Sequence, residues 1–332
     1  MKSIVINKFG EASEVFENIK QAIPVPKEGQ VLINVLATSI NPIDIHLRKG
    51  SMPALVPAFP AVLHGDVAGI VEEAGLNAGD FKRGDFVFGW VGGLGESGGA
   101  LAELLVADYR LLAKAPKHIS YKDVAAVPLV ALTAYEAIFE RANVQPGQKV
   151  LVYGGVGGVG HMGVQFAKLA GAQVYAVVSN DNDIAKVLSF GADHAINYNK
   201  ESTEEFVQRF TGGEGFDVVF DTVGNQNLAN SFQTVKPYGV VVTTIALTEA
   251  DLTPIHLKAA SFHVVFLVIP IAADIRDLKT RFGTNLKVIA DWIEQGKLKI
   301  HVDPAEFNFD HIVAAHEYFE SGKSKGKVVI SK

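Results

Sequence analysis

The chain of 332 residues contains no cysteine. Without a thiol it can form no disulfide bond, no thiolate zinc site and no iron–sulfur cluster, and it has no cysteine nucleophile.

The chain also lacks a basic region and a long apolar run. Its net charge is −6 and its lysines and arginines do not cluster, which argues against nucleic acid and anionic membranes as partners. The longest apolar stretch, residues 264–273, is interrupted by Pro270 and is too short to span a bilayer. Residues 1–4 lead straight into a strand-like run without a secretory segment, so we expect a cytoplasmic location.

Glycine, in contrast, is abundant, and its spacing carries the strongest signal in the chain. The β-branched run 149–153 ends at Gly155, Gly157 and Gly160, spaced G-x-G-x-x-G, and residues 161–170 continue at helical spacing. In this strand–turn–helix context Gly155 allows the sharp turn, Gly157 lets the backbone approach a pyrophosphate, and Gly160 lets the helix pack on the strand. The context favours dinucleotide binding over the alternative, a glycine-rich loop without a ligand.

The pattern of the chain changes near residue 120. Before it, short strand-like runs between Gly and Pro turns predict a mainly β domain. After it, residues 121–142 read as one long helix kinked at Pro128, and from residue 149 strands alternate with helices. This alternation predicts an α/β fold with a doubly wound parallel sheet of the Rossmann type. We expect residues 123–269 to form this dinucleotide-binding domain, and residues 1–122 and 270–332 to form the β-rich domain.

Short motifs accompany the glycine pattern along nearly the whole chain. They are N-P-I-D at 41–44, H-G-D-V-A-G at 64–69, L-T-A-Y at 132–135, Q-P-G at 145–147, D-T-V-G at 221–224 and G-K-V-V at 326–329. In this order the chain resembles the medium-chain dehydrogenase/reductase superfamily, in particular its zinc-free branch of quinone oxidoreductases and enone reductases.

This resemblance implies a GroES-like catalytic domain in the β-rich part of the chain. It also implies hydride transfer from NAD(P)H to a quinone or to an α,β-unsaturated carbonyl. The alternative is an NAD(P)H-binding protein of the same fold that has little turnover and works as a structural or redox-sensing partner. An acceptor pocket with a proton donor would distinguish the enzyme from the alternative.

Zinc alcohol dehydrogenases of the same superfamily are the rival interpretation. Their catalytic metal needs two thiolates and an imidazole, and the matching positions here hold Asn41, Gly65 and Leu129. His64 stands one residue from the imidazole position, and a shift by one residue in a strand turns a side chain to the other face. We therefore expect no metal site, and reduction of an activated acceptor instead of alcohol oxidation.

The end of the second Rossmann strand bears on the choice of nicotinamide. NAD-preferring units place an acidic residue there to bind the ribose 2′-hydroxyl. This strand ends at Val178, and the following Ser179 and Asn180 can donate hydrogen bonds to a 2′-phosphate. The alternative is that Ser179 and Asn180 only cap the next helix.

In the resembled family a lysine and a tyrosine usually hold the 2′-phosphate. Tyr198 matches the tyrosine, whereas the position of the lysine holds Asp183, with Asp181 close by. Carboxylates near a phosphate are unfavourable, so the chain departs from the family here. The missing strand-end acid still favours NADPH, and NADH is left open.

The resemblance implies further contacts with the cofactor. Thr133 in L-T-A-Y matches a threonine close to the nicotinamide, although such a residue can also bond its own helix backbone. The other implied positions lie in the glycine loop and near the ends of later strands: Val156, Gly158, Val159, Val223, Ile245, Phe266 and Val268.

The candidate catalytic residues lie in or next to the N-P-I-D motif. Asn41 could contact the cofactor carboxamide or an acceptor carbonyl, or be a turn residue before proline. Asp44 could orient its neighbours or cap a strand end. His46 stands where quinone reductases usually have a pocket tyrosine, and an imidazolium can donate a proton to an enolate. The alternative for His46 is a solvated surface histidine.

An apolar run after the last Rossmann strand predicts a homodimer. Residues 262–268 are strongly apolar and carry no charge that would protect a sheet edge. Pairing this edge with its two-fold copy would join two sheets, as often occurs in the resembled family. The alternative is an internal strand covered by the C-terminal helix. We expect a second copy of the chain and a small quinone or enone as its partners.

Overall fold

The computed structural model describes all 332 residues and divides them into two compact units. Unit 1 comprises Met1–Leu129 and Leu267–Lys332, and unit 2 comprises Val130–Phe266. The sequence places the boundaries after residues 122 and 269, whereas the units divide after Leu129 and after Phe266; the domain bounds stay a prediction.

The strands and helices are numbered in chain order. The strands are β1 Lys2–Ile6, β2 Phe16–Lys20, β3 Gln30–Ser39, β4 Asp66–Ala74, β5 Phe86–Trp90, β6 Leu104–Asp108, β7 Leu112–Lys114, β8 Lys149–Tyr153, β9 Gln173–Val178, β10 His194–Asn197, β11 Phe216–Asp221, β12 Val235–Thr243, β13 Ser261–Val264, β14 Phe307–Asn308 and β15 Val329–Ser331. The α-helices are α1 Ala12–Val15, α2 Pro42–Lys49, α3 Tyr121–Ala125, α4 Pro128–Tyr135, α5 Gly158–Leu169, α6 Ile184–Ser189, α7 Thr203–Thr211, α8 Leu228–Thr234, α9 Thr253–Leu257, α10 Ile269–Ala272, α11 Arg276–Glu294 and α12 Ile312–Glu320.

Unit 2 is built around a six-stranded parallel sheet. Its order is β10-β9-β8-β11-β12-β13, and every neighbouring pair is parallel. Strands β8, β9 and β11 consist almost wholly of buried residues, as expected where both faces of a parallel sheet are covered. The doubly wound Rossmann-type architecture predicted from the alternation is confirmed.

Unit 1 is mainly β, as the sequence predicts. One sheet runs β14-β15-β3-β4-β5-β7, with β6 paired to β3. Its pairs are antiparallel, apart from the parallel pair of β14 with β15. Strands β1 and β2 pair with each other in a separate antiparallel sheet. The first residue of β4 and the helix that follows β3 carry the polar residues described below.

The single long helix predicted for residues 121–142 is wrong. The structure has α3, a break at residues 126–127, α4, and a π-helical turn over Glu136–Arg141. Pro128 is the first residue of α4 because proline has no backbone N–H to donate to the preceding turn and suits the first helical position. The proline therefore starts a new helix where a kink was expected.

The apolar run 262–268 is shorter as a strand than the sequence predicts. Strand β13 lies at the edge of the parallel sheet, but it ends at Val264. Beyond it, Val265, Leu267 and Val268 are buried before α10 begins, since their side chains join the apolar core. None of the helices combines the length and the apolar content that crossing a bilayer requires.

Candidate functional site

The glycine loop of unit 2 connects β8 to α5. Its left-handed residue is Gly154, at φ +72°, so the positive backbone torsion of the turn lies one residue before Gly155. Gly155 is needed for packing, because a Cβ there would lie 3.0 Å from the Cβ of Ala176 on β9. A Cβ at Gly160 would lie 2.0 Å from the carbonyl oxygen of Gly154. The helix therefore packs against the loop as closely as the third glycine of the pattern requires.

The N-terminus of α5 is open. Gly157 is its N-cap residue, with φ −66° and ψ 171°, and no side chain caps the helix. A Cβ at Gly157 would meet only the carbonyl oxygen of Gly154, at 3.2 Å. The neighbouring Val156, Gly158 and Val159 are half-buried. Free N–H groups and the helix dipole favour an anion at such an end, so the loop fits a pyrophosphate.

The other cofactor residues predicted in the loops of unit 2 lie along the same edge of its sheet. Because the strands are parallel, the loops that follow them leave from their carboxyl ends. The residues are Ser179 and Asn180 after β9, Tyr198 after β10, Val223 after β11, Ile245 after β12 and Phe266 after β13. All are exposed except Ile245, which is half-buried. The predicted dinucleotide residues are thus brought to one edge.

Thr133 and Val268 differ from this set in burial. Thr133 lies in α4 and is 5% exposed, and Val268 lies just before α10 in unit 1 and is 4% exposed. Only a few per cent of either side chain can be reached by solvent. Their contacts with a cofactor stay predictions.

The loops after β9 and β10 form a polar cluster that sequence reasoning described only in part. The amide of Asn180 donates to Asp183 at 2.6 Å, and Asn180 makes no helix cap through its side chain. The amide of Asn197 donates to Asp181 at 2.7 Å, and the Lys200 ammonium bonds the other oxygen of Asp181. These contacts, the lysine first, hold the pKa of Asp181 below its usual value. The carboxylates of Asp181 and Asp183 therefore both accept hydrogen bonds from neighbouring side chains.

In unit 1, helix α2 begins at a buried polar network centred on Asp66. Asp66 accepts hydrogen bonds from the Ser39 hydroxyl at 2.6 Å, the Asn41 amide at 2.7 Å and the backbone N–H of Leu129 at 2.9 Å. The ammonium group of Lys327 lies 3.5 Å from Asp66 and donates to the amide oxygen of Asn41 at 2.5 Å. Both ends of the Asn41 amide are thus bonded within the protein.

Asp66 and Lys327 were missed as site residues, although the motifs H-G-D-V-A-G and G-K-V-V contain them. A motif shows that a residue type recurs at a spacing, but it does not show which distant residue is its partner. Here the partners are 261 positions apart in the numbering, and only the folded sheet brings them together through β3, β4 and the segment before β15.

Asp44 is fully buried beside this network. One of its carboxylate oxygens accepts the backbone N–H of Asn41 at 2.8 Å, and the other has no hydrogen-bond partner. Burial raises the pKa of Asp44 to about 7; the Asn41 hydrogen bond opposes this rise, the charge of Asp66 adds to it, and Lys327 opposes it. At neutral pH this carboxyl therefore titrates, and it fixes the start of α2.

His46 lies in the last turn of α2 and is exposed. Its backbone carbonyl accepts hydrogen bonds from Gly50 and Ser51, which end the helix. The structure thus presents the imidazole to solvent on the helix whose start is fixed by Asp44. Whether it donates a proton stays a prediction.

His64 belongs to the core of unit 1. It precedes β4 with a left-handed backbone, φ +71°, and its ring contacts the Thr38 hydroxyl at 3.3 Å and the ring of His316 at 2.9 Å. Burial, with the charge of Lys327, lowers its pKa to about 3. The neutral ring is held by protein partners, and the structure has no group of three or more His, Asp or Glu side chains arranged to hold a metal ion.

Two family models match the chain. The alcohol dehydrogenase GroES-like domain matches residues 27–117, and the zinc-binding dehydrogenase model matches residues 190–330. The first match confirms the GroES-like identity of the β-rich domain. The second takes its description from zinc enzymes, whereas the ligand positions in this chain hold Asn41, Gly65 and Leu129.

Similar proteins cover almost the whole chain. The 2-methylene-furan-3-one reductase of Solanum lycopersicum is 35% identical over 99% of this chain and 79% of its own length. The NADPH-dependent alkenal/one oxidoreductase of Arabidopsis thaliana, described as chloroplastic, is 34% identical over the same shares. Among solved structures, Escherichia coli quinone oxidoreductase complexed with NADPH aligns with a TM-score of 0.86 at 25% identity, covering 100% of both chains.

Proposed function

Because the chain belongs to the zinc-free quinone oxidoreductase branch of the medium-chain dehydrogenase/reductase superfamily, we propose that it is an NADPH-dependent reductase of α,β-unsaturated carbonyls and quinones. The enone is placed first among the acceptors because two relatives above 30% identity are named for the reduction of enones and alkenals. The alternative, a binding protein with little turnover, is not favoured by these relatives.

The observation that carries the proposal is the open N-terminus of α5. Gly157 caps the helix without a side chain, a Cβ there would meet only one backbone oxygen, and Gly160 seals the helix against the loop. This cradle leaves backbone N–H groups for an anion and nothing to compete with it. It supports a pyrophosphate, and the exposed residues along the same edge support the rest of a dinucleotide.

A bound nicotinamide supplies the hydride, and the protein holds and orients the reactants. Unit 2 contributes the pyrophosphate cradle and the residues at the carboxyl edge of its sheet. In unit 1, Asn41 is a positioning residue, because its amide is bonded to Asp66 and Lys327 and lies buried. His46 is proposed as the proton donor to the oxygen of the acceptor, where negative charge develops as the hydride arrives.

The residues at the three zinc-ligand positions support chemistry without a metal. An amide, a glycine and a leucine stand at the three positions where a zinc alcohol dehydrogenase needs two thiolates and an imidazole. A conjugated acceptor is already polarised, so its reduction needs a hydride and a proton donor but no Lewis acid. Alcohol oxidation through a metal alkoxide has no support in these side chains.

NADPH is proposed over NADH, and a homodimer over a monomer. Strand β9 ends at Val178 with no acidic side chain to bind a ribose 2′-hydroxyl. The edge strand β13 and the exposed Phe266 beyond it support pairing with a second copy. The cytoplasmic location stays a prediction from the sequence.

The test is the oxidation of NADPH in the presence of small acceptors. The purified protein should consume NADPH with 2-alkenals, cyclic enones and simple quinones, and should consume NADH more slowly with each. A saturated ketone is the matched control, since it lacks the conjugated bond and should not react. Tight binding of NADPH without turnover on any acceptor would contradict the reductase and support the binding protein.

A further inference from the structure

We propose that Lys200 is the cation that binds the 2′-phosphate of NADPH in this chain, and that Asp181 holds its side chain ready before the cofactor binds. This inference rests on the use of NADPH proposed above. It assigns a role that Asp183, at the position where related proteins usually have a lysine, cannot perform.

The backbone places Lys200 beside the loop that follows β9. Strands β9 and β10 are parallel, with Val178 paired to Asn197. The N–H of Tyr198 donates to the carbonyl of Val178 at 3.2 Å, and the amide of Asn199 donates to the carbonyl of Ser179 at 2.6 Å. Residues 198–200 are therefore fastened to residues 178–181, where the 2′-position of a dinucleotide is expected.

The side chains add a charge pattern suited to a phosphate. The ammonium group of Lys200 bonds the carboxylate of Asp181, and the two side chains are 66% and 52% exposed. Ser179, Asn180 and Tyr198, all exposed, supply hydrogen-bond donors close to it in the same two loops. Because the ion pair is exposed, it holds the lysine weakly, and a dianionic phosphate can take the ammonium group over.

A nearby lysine offers a contrast. Lys186, on α6, has its ammonium group 5.7 Å from the centre of the ring of Phe190, the residue that follows this helix. It has the same charge as Lys200 but is not tied to the loop after β10. Lys186→Gln is therefore a matched control for the loss of one positive charge in this part of unit 2.

Asp181 has two opposing effects on a 2′-phosphate. It orients Lys200, but its own charge repels the phosphate. Once the phosphate has bound the ammonium group, only the repulsion remains. The amide in Asp181→Asn keeps a contact with Lys200 without the charge, so this variant should bind NADPH more tightly.

The experiment measures dissociation constants of the purified full-length protein for NADPH and NADH, and for 2′,5′-ADP and 5′-AMP, which differ only by the 2′-phosphate. Lys200→Gln should raise the dissociation constants for NADPH and 2′,5′-ADP by about tenfold, which is the loss expected for one charge-assisted hydrogen bond. The dissociation constants for NADH and 5′-AMP should stay unchanged. Asp181→Asn should tighten the binding of only the two ligands that carry a 2′-phosphate, NADPH and 2′,5′-ADP. Lys186→Gln should change none of the four.

Two results separate the inference from the proposed function. If the wild type prefers NADPH and Lys200→Gln keeps the same NADPH:NADH ratio, Lys200 is a surface ion-pair residue and the inference is wrong while NADPH use stands. If the wild type itself binds NADH more tightly than NADPH, the cofactor proposal fails first. An equal loss for all four ligands in Lys200→Gln would also overturn the inference, because it would indicate a damaged loop.

Discussion

Asp44 shows how burial decides the charge of a single residue. The pKa of its carboxyl is raised to about 7, mainly by burial, although Lys327 lies in the same network. In the unfolded chain the same carboxyl has its ordinary value of 3.8. Between these two values the folded protein keeps a proton that the unfolded chain releases, so folding becomes less favourable as the pH rises through this range.

Asp44→Asn should remove this pH dependence. An amide keeps an oxygen to accept the N–H of Asn41 but carries no titrating proton. From pH 4 to pH 7 the free energy of unfolding of the variant should rise relative to that of the wild type, by up to about 1.4 kcal/mol for each pH unit. Urea unfolding of both proteins at several pH values measures the difference. Parallel stability curves would show that Asp44 is ionised in the folded protein.

His46→Ala should lower kcat and kcat/KM together on an enone, by about 10²-fold, because a proton donor acts only as charge develops on the acceptor. The dissociation constant for NADPH should stay the same. His46→Tyr should retain much of the activity, because a phenol hydroxyl can also donate a proton. Wild-type kcat in His46→Ala would leave His46 as a surface residue.

Some residue roles were accessible from the sequence and others were not. The open position of Gly157 and the tight packing of Gly160 follow from a local pattern, because all the atoms involved lie within seven residues. The bond of Lys200 to Asp181 and the network around Asp66 join residues that are distant in the chain. No local pattern encodes such partners, so the sequence predicted Asp181 as a source of repulsion and overlooked the lysine that neutralises it.

At the scale of an element, the start of α5 is the feature on which cofactor binding depends. Gly157→Asp should abolish NADPH binding and leave the fold largely intact, because its charge occupies the anion site, while aspartate is a favoured N-cap whose Cβ meets only the Gly154 carbonyl oxygen, at 3.2 Å. Gly157→Ser caps the helix without a charge and is the control, with binding expected to be weakened but measurable. Fluorescence titration and thermal unfolding measure the two effects. Near-native affinity in Gly157→Asp would mean that the pyrophosphate binds elsewhere.

Element boundaries were less accessible than element types. The sequence predicts the strands of unit 2 because buried parallel strands are continuous β-branched runs. The sequence pattern fails over residues 121–142, where apolar, helix-forming residues stand on both sides of a proline. Only packing decides whether such a segment is one kinked helix or two separate helices. The sequence pattern also predicts a strand up to residue 268, whereas β13 ends at Val264 and Val265, Leu267 and Val268 are buried in the core.

For the whole molecule, the two-unit α/β architecture follows from the change near residue 120 from short strands to alternating strands and helices, whereas the homodimer predicted from the apolar run 262–268 stays a prediction. We expect a dimer through the edge strand β13. Val264→Lys places a charge on this edge and should give a monomer by light scattering at micromolar concentration. Leu76→Lys, at an exposed leucine of unit 1, is the control and should stay dimeric. A monomeric wild type would contradict the expected pairing.

The most direct test of the central claim follows the hydride itself. The chelator-treated protein is incubated with an enone and NADPH carrying deuterium at the transferable position of the nicotinamide, and the product is analysed by mass spectrometry and NMR. We expect a saturated ketone with one deuterium at the β-carbon, formed at the same rate with and without added zinc. No deuterium in the product, or turnover that appears only after zinc is added, would contradict the central claim.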